Sequence, residues 1–311
     1  MNYEPTAAEA VFNMDGNTFS IAADNVVICG LTVVDGRDGI SSSSAIANAQ
    51  VLFNFLLEDR DEGVQLRQCT GCEIRANYVL ESEGDGLNLA NSVASTIMRN
   101  EVESSASTNA AIYVYGGSNH VIVDNYIHDT VNNDAIKVGA SCSSPTAGTQ
   151  VLNNFVEGVA QDGISIYSDD MVVSGNLITD SSSINGAIYI SCGANNATVS
   201  NNIINGTGAD ADFFVGNNSP PTDLATLTVT NNCFSSDNTV GVQIARNQDF
   251  SVPFNFWNAT GGPSSIKDVV LPNPYTQDFT ALPADDSCLA DLDGLGSVQW
   301  FIPYVLVDEC T

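Results

Sequence analysis

A short phrase of the form x-Asn-x-apolar returns along most of this chain. It appears as Ala76-Asn77-Tyr78-Val79, Arg99-Asn100-Glu101-Val102, Asp124-Asn125-Tyr126-Ile127 and Asn153-Asn154-Phe155-Val156. It continues as Gly175-Asn176-Leu177-Ile178, Asn201-Asn202-Ile203-Ile204, Asn231-Asn232-Cys233-Phe234 and Phe254-Asn255-Phe256-Trp257. The steps between these asparagines are 23, 25, 29, 22, 26, 30 and 23 residues. A second phrase interleaves with it, a small or acidic pair followed by alternating apolar residues, as in Asp85-Gly86-Leu87-Asn88-Leu89 and Asp162-Gly163-Ile164-Ser165-Ile166. Its first apolar positions, 64, 87, 112, 136, 164 and 188, are 23, 25, 24, 28 and 24 residues apart. Two phrases with one period define one structural unit, repeated.

Within each phrase apolar and polar residues alternate with period two, the mark of a strand. Strands this short, divided by Gly, Asn, Ser and Asp, need copies of themselves above and below. A parallel β-helix supplies them: each coil of roughly 25 residues carries about three strands, and the inward residues of all coils form one apolar column. The expected fold is therefore all-β, a solenoid of about nine to ten coils. The β-helix is expected over residues 1–262, with an irregular C-terminal tail over 263–311 packed on it. Val26–Val33 joins the pattern with Leu31 at the asparagine position. The tail's apolar segment, Val298–Val307, suits a cap on the last coil, because a solenoid end exposes an unpaired strand edge. The asparagines themselves (Asn77, Asn100, Asn125, Asn154, Asn176, Asn202, Asn232 and Asn255) read as a structural ladder. Asn tolerates left-handed backbone at a turn, and stacked amides can bond from coil to coil.

Charge narrows the partners. Eight Lys+Arg against 37 Asp+Glu give a net charge of −29. Nucleic-acid binding is not expected, since phosphate neutralisation needs clustered Lys and Arg. The apolar runs Val51–Leu57 and Val298–Val307 fall short of the roughly 18 residues of a membrane span, so membrane insertion is not expected either. Eight cysteines with only two histidines, His120 and His128, favour disulfides over zinc, and with them an extracellular or cell-surface protein. The pairing is left open; Cys288 with Cys310 would clamp the tail, and Cys69-Thr-Gly-Cys72 lacks the strand-to-helix setting of a redox motif. Met1–Pro5 has no basic and apolar leader, as after removal of a signal or excision of a fragment. Asn196, Asn205, Asn217 and Asn258 begin glycosylation sequons.

The two phrases resemble the superfamily of right-handed, pectate-lyase-like β-helix proteins. Asn255-Phe-Trp-Asn-Ala-Thr-Gly-Gly-Pro-Ser264 is similar to the Asn-x-Trp-Gly-x-x-x-Gly-Pro phrase near the end of such domains, with Asn258 in place of the usual glycine. The resemblance spans about 250 residues and implies a right-handed solenoid. It leaves function open among lyases, glycoside hydrolases, uronate epimerases, tailspikes and adhesins. The polygalacturonase-like pattern is not met: Asn133-Asp134 and Gln161-Asp162 approach its first elements, but Asp-Asp, Gly-His-Gly and Arg-x-Lys are missing. The epimerase-like Asp-Pro-His is missing too.

One face could still carry chemistry. The outward residues of the second phrase place Tyr113, Tyr115, Lys137, Tyr167 and Tyr189 on adjacent coils, with Asp134 and Asp162 at the edge. In a uronate lyase Lys137 would be the base and Tyr113 or Tyr167 the acid; otherwise the tyrosines stack on glycan and Lys137 pairs with Asp134. His128-Asp129 could be a metal or acid–base element. The aspartates Asp59, Asp61, Asp169, Asp170, Asp210 and Asp212 could hold Ca²⁺, the one cofactor the sequence suggests, although none forms a loop of ligand spacing. Scarce basic residues and missing motifs favour a non-catalytic structural or adhesive rod that binds glycan or self-associates end to end. A polysaccharide-active enzyme, most readily a uronate lyase, is the alternative.

Overall fold

The computed structural model describes residues 16–245 apart from short gaps (107–108, 141, 143–145, 183–184, 206–207, 209–210, 217 and 235–240), together with 11–13, 250–251, 255, 269–270 and 277–278. Three parallel sheets of ten, thirteen and nine strands run the length of the molecule. Most strands are three residues long, and each pairs with its copy one coil before and one coil after. The x-Asn-x-apolar phrase supplies the ten-stranded sheet, for example Tyr78–Leu80 beside Glu101–Glu103. The second phrase supplies the thirteen-stranded sheet, for example Ala110–Ser118 beside Asp134–Val138. Among the described residues almost no helix is present; one 3-10 turn spans Leu224–Thr226.

Alternation explains the core. Val79, Val102, Ile127 and Val156 point inward from one sheet, Leu87, Leu89, Ile112, Val114, Ile136 and Val138 from the second, and Ile74, Ile97, Ile122 and Val151 from the third, all fully buried. Each such side chain contributes about 1.5–3 kcal/mol. The small residue after the acid of the second phrase has a steric cause. A Cβ on Gly63 would lie 2.7 Å from the Gly86 carbonyl oxygen of the next coil and 2.7 Å from Val79 Cγ1.

The asparagine ladder is present and longer than expected. Each Oδ1 accepts both the backbone N–H and the Nδ2–H of the asparagine one coil earlier, as Asn125 does from Asn100 at 3.0 Å each. Each Nδ2 also reaches a backbone carbonyl, as Asn125 reaches Ile97 O at 3.1 Å. The series includes Asn54, whose Oδ1 takes the Leu31 N–H at 3.1 Å and whose own amide bonds Asn77. The expected reason for asparagine needs correcting. Left-handed backbone belongs to the residue before it, at Phe53, Ala76, Arg99, Asp124, Asn153, Asn201 and Asn231, with φ between 51° and 58°. That residue turns the chain, and the asparagine is chosen for its buried amide, which both donates and accepts.

His120 is also scaffold. It is fully buried, and a second row of side chains runs through it. Cys72 N–H donates to Ser95 Oγ, Ser95 N–H to His120 Nδ1 and His120 N–H to Thr149 Oγ1. Burial holds its pKa below the ordinary histidine value. Disulfides join Cys69 to Cys72 and Cys142 to Cys192; Cys29 and Cys233 are disulfide-bonded as well. The Cys288–Cys310 clamp, the Trp257 phrase and the Val298–Val307 cap lie outside the described residues. Val269–Val270 adds parallel to Val242–Ile244, and Gln277–Asp278 pairs with Phe250–Ser251.

Candidate functional site

On the outer side of the thirteen-stranded sheet, one local rule repeats. An acid two residues before the first inward apolar residue bonds the polar side chain three residues on. Glu62 accepts from Gln65 Nε2 at 2.5 Å, Asp85 from Asn88 Nδ2 at 2.6 Å and Asp162 from Ser165 Oγ at 3.0 Å. Where the outward residue is aromatic, the acid is replaced by a small residue: Ala110 with Tyr113, Gly186 with Tyr189, Ala211 with Phe214. Space is the reason at Gly186, where a Cβ would come within 2.8 Å of Phe214 Cβ.

Lys137 breaks this rule. It occupies the polar position beside Asp134, yet the two form no ion pair within 4.0 Å, so the expected Lys137–Asp134 bridge is not made. Its Nζ lies instead over two rings from neighbouring coils, 5.8 Å from the centre of Tyr113 and 5.4 Å from that of Tyr167. Pairing places Tyr113 beside Lys137, Lys137 beside Ser165 and Ser165 beside Tyr189. The aromatic run continues on both sides. Tyr113 and Tyr115 are 4.8 Å apart, Tyr167 meets Tyr189 edge-on at 5.8 Å, and Tyr189 stacks on Phe214 at 5.5 Å. Tyr113 and Tyr189 are only 7% exposed, so the accessible side chains are Tyr115, Lys137 and Tyr167, not the whole row.

Asp134 and Asp162 lie beneath this face, 4% and 3% exposed. Asp134 Oδ1 accepts the Asp162 N–H at 3.2 Å, and Asp162 also takes Asn185 Nδ2 at 3.2 Å. Burial, and then the neighbouring Asp162, push the Asp134 pKa up to about 7, against a smaller lowering by Lys137. The Asp134 carboxyl therefore keeps its proton up to about pH 7 beside Asp162. Ser165 Oγ donates to Asp162, and strand pairing sets Ser165 beside Lys137, joining the pair to the face. Burial raises the Tyr113 pKa to about 12 and raises that of Tyr167 further, so both phenols keep their protons. The disulfide Cys142–Cys192 ties the loop after Asp134–Val138 to the loop after Gly186–Ile190, on either side of the Tyr167 coil.

A Ca²⁺ ion does not fit this face. Such an ion takes six to eight oxygens, and here the cation is Lys137 while both Asp162 oxygens already accept hydrogen bonds. Among the described residues three carboxylates converge at Asp38, Asp61 and Glu62. There Arg37 Nε already stands 3.8 Å from Asp38, and Glu62 Oε1 already accepts from Gln65 Nε2. Of the aspartates offered for Ca²⁺, Asp59 and Asp212 are buried, and Asp210 lies outside the described residues.

Two groups go beyond the expected site residues. Phe214 extends the aromatic row, and its phrase, Ala211-Asp212-Phe213-Phe214-Val215, stands 25 residues after the one at Ile188. The other lies on the ten-stranded sheet, where Glu101 and Glu103 join His128, itself expected with Asp129 as a metal or acid–base element.

Sequence comparison accords with this architecture. Residues 10–156, 62–224 and 109–256 match the family described as the right handed beta helix region. The chain belongs to the right-handed β-helix family. No curated protein sequence matches it. Among solved structures, the A-module of the Azotobacter vinelandii mannuronan C-5 epimerase AlgE6 is similar with a TM-score of 0.72 at 14% identity, over 89% of this chain and 83% of that one. The A-module of AlgE4 from the same organism gives 0.63 at 15% identity, over 89% and 82%. The Agl-KA catalytic domain gives 0.54 at 15%, over 83% and 47%. At these identities the likeness establishes the β-helix fold alone.

Proposed function

We propose that this β-helix is an extracellular enzyme acting on a uronate polysaccharide at the Tyr115–Lys137–Tyr167 face. The observation that carries the reading is Lys137, released from the acid–polar pairing of its neighbours and held between two tyrosine rings. An ammonium on an aromatic floor suits an acidic sugar: the rings stack on pyranose faces, and the cation pairs with the carboxylate. The likeness to two mannuronan C-5 epimerase modules supports the substrate class, and the disulfides support an extracellular setting.

Lyases and epimerases acting on uronates share a first step, removal of the C5 proton next to the carboxylate. Charge develops on that carboxylate, where Lys137 would stabilise it. This role replaces the expected one of Lys137 as base. Tyr167 would face the sugar, with Asp134 beneath it able to take up a proton once pH exceeds about 7 and its carboxyl is ionised. The protein's −29 charge repels an anionic polymer beyond the contact itself. Salt screens that long-range repulsion over about 8 Å at physiological strength and screens the sheltered Lys137 contact less.

The test is exchange of the C5 proton in D₂O, followed by NMR across neutral and uronate polysaccharides, alongside reducing ends and the absorbance of unsaturated products. Deuterium at C5 is expected for one uronate polymer, with turnover rising through pH 7 and with moderate salt, and falling at least about 100-fold in Lys137→Ala. Exchange unchanged in that variant would move the site elsewhere. A flat response across the panel would leave the non-catalytic rod, and electron microscopy for end-to-end filaments would follow.

A further inference from the structure

The outward face of the ten-stranded sheet holds a second cluster that the Lys137 face does not use. Glu101 and Glu103 alternate outward from one strand, and His128 lies directly beside Glu103 on the next coil. His128 Nε2 is 3.3 Å from Glu101 Oε1 and 4.0 Å from Glu103 Oε2. The three ligand atoms all lie within 4.8 Å of one another. We propose that Glu101, Glu103 and His128 bind one divalent transition-metal ion, with Zn²⁺ as its probe.

Three observations carry this. The first is spacing: two donors at 2.0–2.1 Å on one tetrahedral ion stand about 3.3 Å apart, the separation already present between Glu101 and His128. The second is the orientation of the ring. His128 Nδ1 is 2.9 Å from Asp129 Oδ2; with Nδ1–H donating to that carboxylate, Nε2 faces the two glutamates, as in carboxylate–histidine–zinc arrangements. Tyr126 stacks on the ring at 4.3 Å and itself lies flat on Phe155 at 5.0 Å, which fixes the plane of the imidazole. The third is support of the other ligands: Tyr78 Oη donates to Glu103, holding that carboxylate in place. One imidazole and two carboxylates suit Zn²⁺ or Mn²⁺ better than Ca²⁺, which prefers oxygen alone. The remaining positions open to solvent, and the ion would clip two adjacent coils together.

The proposal is independent of the Lys137 reading. The experiment is calorimetric titration of the metal-stripped full chain with Zn²⁺ in millimolar Ca²⁺, which saturates the general acidic surface. One Zn²⁺ per chain is expected. His128→Ala and Glu101→Gln should abolish it, and Asp129→Asn should weaken it about 10–100-fold. Co²⁺ loading should give visible absorption that His128→Ala lacks. Circular dichroism confirms that each variant keeps its fold; if His128→Ala does not, Glu101→Gln decides. Absence of Zn²⁺ binding above the Ca²⁺-saturated background, equal affinity in Glu101→Gln, or full displacement by Ca²⁺ would overturn the assignment.

Discussion

Two buried polar columns run along this molecule, and they behave in opposite ways. The asparagine column from Asn54 to Asn255 is unbroken, each amide bonded to the next. The acid column, Asp38, Glu62, Asp85, Asp134 and Asp162, is interrupted by Ala110 and Gly186 and carries raised pKa values at Asp38, Glu62 and Asp134. An amide has a donor and an acceptor, so copies about 4.8 Å apart satisfy one another without limit. A carboxylate has acceptors alone, so copies at that spacing repel, and each needs a local donor. A position that tolerates repetition is scaffold; one that must be interrupted or protonated is where the repeat can be diverted to chemistry.

The largest expected effect comes from turning one column into the other. Asn125→Asp removes the donors to Ile97 O and Asn154 Oδ1 and buries a carboxylate. Denaturant unfolding should show a loss of about 3–5 kcal/mol at pH 7. Part of this should return at pH 4, because a buried acid with a raised pKa is least costly when protonated.

The reverse change should be milder. Asp134 titrates near 7 when folded against 3.8 when unfolded, so the folded state holds the extra proton between those values. Stability is therefore lost as pH rises from about 4 to about 7. Asp134→Asn should match the parent at pH 3.5 and exceed it in stability at pH 8, and an unchanged pH profile would remove the account of a buried, protonated Asp134. The smallest effect is expected at Tyr189→Phe, which removes only the Asn218 bond at 3.3 Å from the edge of the aromatic row. A loss of about 0.5–1 kcal/mol in unfolding free energy is expected.

The fold was legible because spacing alone carries it: a step of 22 to 30 residues survives any substitution that keeps the inward face apolar. Asn54 escaped notice because Phe53-Asn54-Phe55-Leu56 lies inside an apolar run, where burial obscures the phrase. Phe214 was hidden by Asp212, which stands where other coils have Gly or Ala. The Lys137 face was readable as a register of outward residues, but the departure of Lys137 from Asp134 was not, since it depends on where a flexible side chain finds two rings. The His128 cluster was within reach of the same arithmetic: 25 residues separate Glu103 from His128, one coil, on outward positions of the first phrase.

Every amide in the asparagine column faces the same way. Nδ2 of each points toward the C-terminal neighbour and Oδ1 toward the N-terminal one, from Asn54 through Asn255. The side chains therefore form a row of head-to-tail dipoles buried beside the axis, each polarising the next. The row gives the rod an electrical polarity with its oxygen pole at the N-terminal end. A coil added by duplication at either end inherits that sense, and one inserted upside down would set like poles against each other.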